Sequence, residues 1–240
     1  METSLHRDLK HRYTPAHAPR TEAVLGRFRI DAIRADGELV EIQHSALGQM
    51  RDKAATLLQT HRLRIVKPIV TRKRLQLRSA PDGDIVRERL SPSRGRLQDI
   101  FDELAFSIRI FPHDRLTIEL LPVEMLEIRV PGRGKRRRRR APERDVTTHD
   151  QLLLSVGEPH CLRTPADLLA LLGRVPTAFT SGDIVAATGI RARTATRAVW
   201  CLRTIGAVRD AGKRGRFRLV EPIQPDEAPP FRIRPAALVG

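Results

Sequence analysis

Two acidic side chains early in the chain have the types and the spacing to bind a divalent cation. Asp31 lies in Phe28-Arg29-Ile30-Asp31-Ala32, and Glu41 lies in Glu41-Ile42-Gln43. Between them, Ala35-Asp36-Gly37 is typical of a three-residue hairpin loop whose last residue is left-handed. We therefore predict two antiparallel strands, at residues 22–34 and 38–43.

The hairpin also predicts which side chains meet. If Arg34 pairs with Glu38, then Asp31 lies opposite Glu41, because side chains that oppose each other in an antiparallel pair share a face. Asp31, Glu41 and Gln43 then point to one face of the ribbon. The other face is uniformly apolar, is expected to be the core, and holds Phe28, Ile30, Val40 and Ile42.

Two carboxylates held this close need a cation between them, because like charges repel and raise the pKa of one group. Mg²⁺ is a hard ion that binds one or two carboxylates, a carbonyl and waters. The sequence thus predicts Mg²⁺, or Mn²⁺, at Asp31, Glu41 and the carbonyl of Ile42. Acidic residues that alternate with apolar ones are also typical of any half-solvated sheet, and that interpretation stays open.

The elements around the hairpin predict an α/β core with a mixed sheet. Residues 4–13 are expected to form a short helix, and residues 45–60 have apolar residues at helical spacing. A strand at 63–70 would follow a right-handed crossover and lie parallel to the strand that carries Glu41. Further along we expect a hairpin around Pro81-Asp82-Gly83, a helix at 97–106, and strands at 115–119 and 125–130.

The order helix, Glu22, Asp31, Glu41-Ile42-Gln43, helix, strand resembles the PD-(D/E)XK nuclease superfamily. This resemblance implies a restriction-endonuclease-like core in which Asp31 and Glu41 hold Mg²⁺ and Glu22 is an accessory carboxylate. Gln43 occupies the position at which the superfamily has a lysine that helps to activate the attacking water. A neutral amide orients a water but supplies no positive charge to the transition state.

Two residues near the motif, Lys67 and His44, have different predicted roles. Lys67, on the adjacent parallel strand, is a candidate for the missing ammonium, whereas His44 is expected to point to the opposite face and has no assigned role. The stretch from Leu90 to Leu97, followed by Asp102-Glu103-Leu104, also resembles an uncharacterised bacterial family in which such a core precedes a winged helix.

The C-terminal part predicts three helices followed by a hairpin. Thr164, Pro165 and Asp167 have the pattern of a helix N-terminus, and Gly189 lies in the connection before the third helix. This order is typical of an α+β winged helix-turn-helix domain, whose third helix enters the major groove of DNA. The residues expected to contact DNA are Arg191, Arg193, Thr194, Thr196 and Arg197 on this helix, and Lys213, Arg214 and Arg216 on the wing. A winged helix that contacts protein remains an alternative.

Charge and composition suggest how the chain is divided. The net charge of +16 favours a polyanionic partner. Residues 133–140 concentrate this charge, and Arg136, Arg137 and Arg138 are expected to grip phosphate. We predict a nuclease-like domain at 1–131, a basic linker at 132–150, a winged-helix domain at 151–221 and a Pro-rich tail at 222–240. With no signal-peptide core and no long apolar run, no membrane contact is expected and a cytoplasmic, nucleoid-associated protein is favoured.

The sequence therefore predicts a bacterial, DNA-binding endonuclease that hydrolyses the phosphodiester bonds of double-stranded DNA with a divalent metal. Gln43 in place of lysine supports an alternative, a non-enzymatic winged-helix regulator on a degenerate nuclease scaffold. A homodimer is left open. Charge alone would also suit an RNA- or ribosome-associated protein, whereas the scarcity of aromatic residues, at 4%, disfavours a single-strand binder built on base stacking.

Overall fold

The computed structural model of the protein describes residues 2–15, 21–132 and 146–223. The helices in these ranges are α1 (Ser4–Tyr13), α2 (Arg51–Leu57), α3 (Ile100–Ser107), α4 (Pro165–Ala170), α5 (Ser181–Thr188) and α6 (Ala192–Thr204). The strands are β1 (Thr21–Leu25), β2 (Phe28–Ile33), β3 (Leu39–Ile42), β4 (Leu63–Arg78), β5 (Ile85–Leu90), β6 (Leu116–Pro131), β7 (Val146–Val156), β8 (His160–Leu162), β9 (Val208–Arg214) and β10 (Phe217–Pro222).

The fold is α/β, with a large mixed sheet and a small second sheet. The large sheet has the strand order β1-β2-β3-β4-β6-β7, with β5 paired to β4 and β8 paired to β6. The small sheet is the antiparallel pair β9–β10. The predicted mixed α/β class is therefore confirmed.

The hairpin that carries the two acids has the predicted register. Ala32 pairs with Val40 and Ile33 pairs with Leu39. Gly37 has a φ of 79°, the left-handed conformation that the loop requires. The single strand predicted at 22–34 is wrong, because the chain turns at Gly26 and forms the antiparallel pair β1–β2.

The crossover after β3 is also confirmed, because β3 and β4 are parallel and Glu41 pairs with Ile65. The short strands predicted further along are instead two long ones. β4 and β6 each span 16 residues and run parallel to each other, with one register shift between Val70 and Arg72. This bulge keeps the polar stretch around residue 72 in the sheet, where the sequence pattern suggested a break.

Both faces of the large sheet are covered, which corrects the prediction that Phe28, Ile30, Val40 and Ile42 share one apolar face. On one face, α2 and α3 pack over a cluster that contains Ile30 and Leu39. On the other face, Leu5 and Leu9 of α1 pack against Val40, Ile42 and their neighbours. Burial on both faces is what strands between crossover helices require.

The large sheet extends further along the chain than the predicted boundary at residue 151. Strands β7 and β8 both pair with β6, so the second unit begins with α4. Residues 132–150 are therefore no linker between domains, because Pro131 pairs with Val146 across the connection. Arg136, Arg137 and Arg138 lie outside the described residues.

The second unit consists of α4, α5, α6 and the β9–β10 hairpin, with an isolated bridge between Phe179 and Val220. Thr164 caps α4 with Asp167 as its capping-box partner, as predicted, and Thr180 caps α5 in the same way. Gly189 ends α5 in the left-handed conformation, with a φ of 65°. None of the helices in the described ranges is long and apolar enough to cross a membrane.

Candidate functional site

The site is built where β2 and β3 separate. Their ladder ends at Ala32 and Val40, although the same register would bring Ile30 to Ile42. The N–H of Ile42 instead donates to Asp31 Oδ2 at 2.8 Å. Ile30 and Ala32 pack in clusters on opposite faces of the sheet, so the alternation of β2 breaks at Asp31. Asp31 therefore occupies the gap between the two strands.

Two carboxylates lie opposite each other at this gap, one from β1 and one from β2. The β1–β2 register, with Thr21 opposite Ala32 and Ala23 opposite Ile30, brings Glu22 opposite Asp31. Glu22 has a φ of 56° and is the one non-glycine with positive φ among the described residues. Such a conformation costs about 1–2 kcal/mol per residue and occurs preferentially at functional sites. Its carboxylate is held by Lys10 at 2.9 Å and by Arg29.

Helix α1 brings a polar stripe to these acids. Glu2, His6 and Lys10 follow one another at intervals of four residues, which places them on the same side of the helix. Lys10 Nζ lies 2.8 Å from Glu2 Oε1, 2.9 Å from Glu22 Oε1 and 3.5 Å from Asp31 Oδ1. Burial lowers the pKa of Lys10, but its bonds to Glu2 and Glu22 and the charge of Asp31 outweigh this, and the pKa is raised.

Asp31 is stabilised as a carboxylate. His6 Nε2 lies 3.4 Å from Asp31 Oδ1. Burial opposes ionisation, but the contacts with His6, the Ile42 N–H and Lys10 together lower the pKa of Asp31.

Glu41 lies on the other face of the sheet, in a different environment. It is 5% exposed and its Oε1 is 2.7 Å from Lys53 Nζ of α2. That oxygen makes no hydrogen bond of good geometry within the described structure. Burial raises the pKa of Glu41, Lys53 opposes this, and the charge of Asp31 adds to it. The two acids are thus electrostatically coupled, but their cationic partners come from opposite faces, which corrects the prediction that both point the same way.

A cleft of about 360 Å³ opens beside Asp31 on the α1 side. The residues that line it are Glu2, Thr3, His6, Lys10, Glu22, His44 and Gln151. The ring centroid of His44 is 5.3 Å from that of His6, so His44 belongs to the site, contrary to our expectation. Burial, with the charges of His6 and Lys67, lowers the pKa of His44 to about 4.

The two side chains proposed near the lysine position of the motif are engaged elsewhere. Gln43 Nε2 donates to Ser45 Oγ at 2.7 Å and to Ala46 O at 3.1 Å. Lys67 Nζ donates to the carbonyls of His44 and Ser45 and lies 2.9 Å from Glu103 Oε1. Lys67 therefore anchors the loop after β3, and the suggestion that it supplies the missing ammonium is wrong.

The side chains that would bind a metal here, Glu22, Asp31 and Glu41, are carboxylates, which are suitable ligands for a hard cation. The buried Oε1 of Glu41 and the repulsion between Asp31 and Glu41 also favour one. Lys10 and Lys53 already neutralise these acids, and across the described ranges no three His, Cys, Asp or Glu side chains form a ready metal cluster. Ile42 contacts Asp31 through its N–H, so its carbonyl gains no support as a ligand.

Part of the predicted DNA-binding helix packs against α3 instead of facing solvent. Asp102 of α3 accepts hydrogen bonds from Arg191 at 3.2 Å, Thr194 at 2.8 Å and Arg197 at 2.7 Å. The Arg197 guanidinium also stacks on the ring of Phe106. Thr194 and Arg197 of α6 therefore hold the second unit against the first, which corrects their assignment to DNA. Arg191, just before α6, pairs with the same carboxylate, but its side chain is 78% exposed.

The rest of the predicted DNA-binding residues are exposed. Arg193 and Thr196 lie on the outer side of α6. Lys213 and Arg216 lie on the hairpin, and within the described part of the chain no carboxylate pairs with Arg193, Lys213 or Arg216. Arg214 is exposed but pairs with Asp183 at 3.1 Å.

A family model described as a domain of unknown function, DUF8091, matches residues 3–163. The chain belongs to the DUF8091 family. An uncharacterised protein of Treponema pallidum (strain Nichols) is 30% identical over 233 residues, which cover 95% of this chain and 89% of that protein. No solved structure gives a significant match.

The DUF8091 match and the fold agree on where the first unit ends. The match stops at residue 163, and β8 ends at Leu162. The domain thus contains the whole large sheet, including β7 and β8, with Glu22, Asp31 and Glu41.

Sequence reasoning missed the α1 side of this site. Glu2, His6, Lys10 and His44 were not assigned, although the four-residue spacing of the first three was visible. Leu5 and Leu9 share that spacing and are buried, so α1 has a buried apolar side next to a polar one. The polar side of α1 is the sequence signal that could have identified these residues as part of the site.

Proposed function

We propose that this protein is a divalent-metal-dependent nuclease that hydrolyses phosphodiester bonds of double-stranded DNA, with a core of the PD-(D/E)XK type. The observation that carries the proposal is that Glu22, Asp31 and Glu41 occupy matching positions on three adjacent strands. Glu22 and Asp31 share Lys10 on one face of the sheet, and Glu41 lies on the other face beside Lys53. The strained Glu22 and the buried Glu41, whose pKa is raised by burial, support it, because neither arrangement favours stability.

The chain's own residues have distinct parts in this proposal. Asp31 and Glu41 would hold Mg²⁺ or Mn²⁺, and Glu22 would act as the accessory carboxylate beside Asp31. When bound, the cation supplies a water of lowered pKa and neutralises phosphate charge. Gln43 would at most orient a water after leaving Ser45, because a neutral amide adds no positive charge.

The second unit would hold the duplex. Three helices, a bridge at Phe179 and a hairpin follow in the order of a winged helix, which supports that assignment. With part of α6 bound to Asp102, the exposed Arg193, Thr196, Lys213 and Arg216 are the proposed DNA contacts. A DNA partner would place the protein at the nucleoid.

Plasmid cleavage tests the proposal. We expect purified protein to nick supercoiled plasmid with Mg²⁺ or Mn²⁺ and to lose activity in EDTA. D31N and E41Q should each lower the rate by about 100-fold or more, because each removes a charged ligand. D82N, in the exposed turn before β5, is the matched control and should cleave normally. All variants should bind DNA alike; equal cleavage by D31N, E41Q and D82N would reject the assignment.

A non-enzymatic regulator is the second candidate, and a specific observation favours it. Lys10 and Lys53 already compensate Asp31 and Glu41, as expected of a scaffold that has lost its metal. Isothermal titration with Mn²⁺ separates the two functions. A nuclease should show a binding site that D31N removes, whereas a regulator should bind DNA and show no such site.

A further inference from the structure

Lys10 has an environment unlike that of any ordinary surface lysine. It is 7% exposed, and its ammonium lies within 3.5 Å of carboxylates from Glu2, Glu22 and Asp31. These acids come from the segment before α1, from β1 and from β2. The ammonium also lines the 360 Å³ cleft, the open space next to Asp31.

The position of Lys10 is fixed by the packing of α1. Leu5 and Leu9 are buried against the sheet, and Ser4 bonds to Asp150 of β7 through both its N–H, at 2.9 Å, and its hydroxyl, at 2.6 Å. The helix therefore presents Lys10 to the acids from a rigid element, as a functional side chain requires.

The other cations near the acids are placed differently. Lys53 pairs with Glu41 and donates to the carbonyl of Arg29 at 2.6 Å. It does not line the cleft. Lys67 is held by the loop after β3 and by Glu103, and Gln43 is uncharged. Lys10 is thus the lysine that is both beside Asp31 and open to the cleft.

We propose that Lys10 performs the role of the motif's lysine, whose position is occupied by Gln43 in this chain. Its ammonium positions Glu22 and Asp31 and places a positive charge beside the phosphate that enters the cleft. This inference rests on the proposed nuclease function. It assigns the missing charge to α1, far from the motif in sequence, and Lys10 replaces Lys67 as the candidate.

The test compares four variants with the wild type. K10M removes the charge and keeps the length of the side chain, and K10R keeps the charge. Q43K/K10M restores a lysine at the motif position. K73M is the matched control. Lys73 also pairs with a buried carboxylate, that of Glu127 at 3.0 Å, but it lies on the half of β4 that is distant from the site. Plasmid cleavage with Mg²⁺, Mn²⁺ affinity by isothermal titration and thermal melting are measured for each.

We expect K10M to cleave about 100-fold more slowly or worse, as when one preorganised charge is removed. Its affinity for Mn²⁺ should be unchanged or higher. The Lys10 ammonium binds the same carboxylates, Glu22 and Asp31, as the metal would, and K10M removes this competition. K10R or Q43K/K10M should regain part of the rate, and K73M should match the wild type.

Other results overturn the inference. If the wild type cleaves and K10M stays within about threefold of it, Lys10 has no such part and the nuclease function stands. If K10M loses cleavage and Mn²⁺ binding together, with no recovery in Q43K/K10M, Lys10 is structural. A wild type that shows no metal-dependent cleavage rejects the proposed nuclease function itself, and the inference with it.

Discussion

Glu41 works against the stability of the fold at neutral pH. Burial raises its pKa, Lys53 only partly offsets this, and the charge of Asp31 adds to the penalty. A carboxyl group kept in such a place is typical of a functional site, where chemistry is favoured over stability. The same holds for Glu22, whose backbone is strained while its carboxylate is held by Lys10 and Arg29.

E41Q should therefore melt at or above the wild type at pH 7.5. A raised folded-state pKa means that the contribution of Glu41 to stability is present below its ordinary value of 4.5 and is lost as pH rises. The gain in E41Q should thus shrink as pH falls toward 4.5. Melting curves across pH measure this, and a loss of about 3 kcal/mol at pH 7.5 would contradict it.

D36N is the control variant, because its effect on stability should depend on pH in the opposite direction. The N–H of Glu38, with Arg62 and Arg34 nearby, lowers the pKa of Asp36. Its contribution to stability is present above its ordinary value and is lost as pH falls through the lowered pKa. D36N should melt below the wild type at pH 7.5 and approach it in acid.

His44 should make the fold acid-sensitive between pH 6.5 and about 4. Its pKa is lowered to about 4, mainly by burial and by the charge of His6, so the unfolded chain binds a proton before the folded one does. Stability is thus lost as pH falls through this range. In urea titrations, the free energy of unfolding of H44Q should fall less between pH 7.5 and 5 than that of the wild type. H61Q, outside the cleft, is the control and should follow the wild type.

At the scale of elements, the local signals were sufficient where a turn or a cap decides the structure. Gly37 fixed the β2–β3 register in advance, and Thr164 and Gly189 marked helix ends. The break of alternation at Asp31 depends on β2 leaving β3, which no local pattern encodes. The face of α6 that binds Asp102 was likewise beyond prediction, because Arg193 and Arg197 are the same residue type on one helix and differ by what packs beside them.

Two arginines of α6 should separate stability from DNA binding. Arg197 bonds to Asp102, so R197A should lower the free energy of unfolding by about 1.5–3 kcal/mol and leave DNA affinity little changed. Arg193 is exposed, so R193A should leave stability unchanged and weaken DNA binding, with a smaller salt dependence. Chemical denaturation and fluorescence anisotropy measure both quantities. If R197A weakens DNA binding more than R193A does, the assignment of α6 is reversed.

At the scale of the molecule, the two units share one hydrophobic core. A single cluster runs from Ile30 and Phe101 under the large sheet to Leu202 and Val220 of the second unit. Arg96 and Gln98 add bonds to the carbonyls of Thr188 and Leu171 across the same contact. The predicted boundary at residue 151 was wrong, because β7 pairs with β6 and so belongs to the large sheet.

Unfolding should therefore be a single cooperative transition. A continuous core couples both units, so calorimetry should give one peak with equal calorimetric and van't Hoff enthalpies. Fluorescence of Trp200 on α6 and far-ultraviolet circular dichroism should report the same midpoint. Two resolved transitions, with Trp200 changing in only one, would show that the units are independent.

The most direct test of the metal-dependent site is anomalous diffraction from crystals soaked in Mn²⁺. We predict a peak within about 2.5 Å of carboxylate oxygens of both Asp31 and Glu41, with Lys53 drawn away from Glu41. A map with no peak at the gap between β2 and β3 at saturating Mn²⁺, with Lys10 and Lys53 still against their acids, would contradict the account.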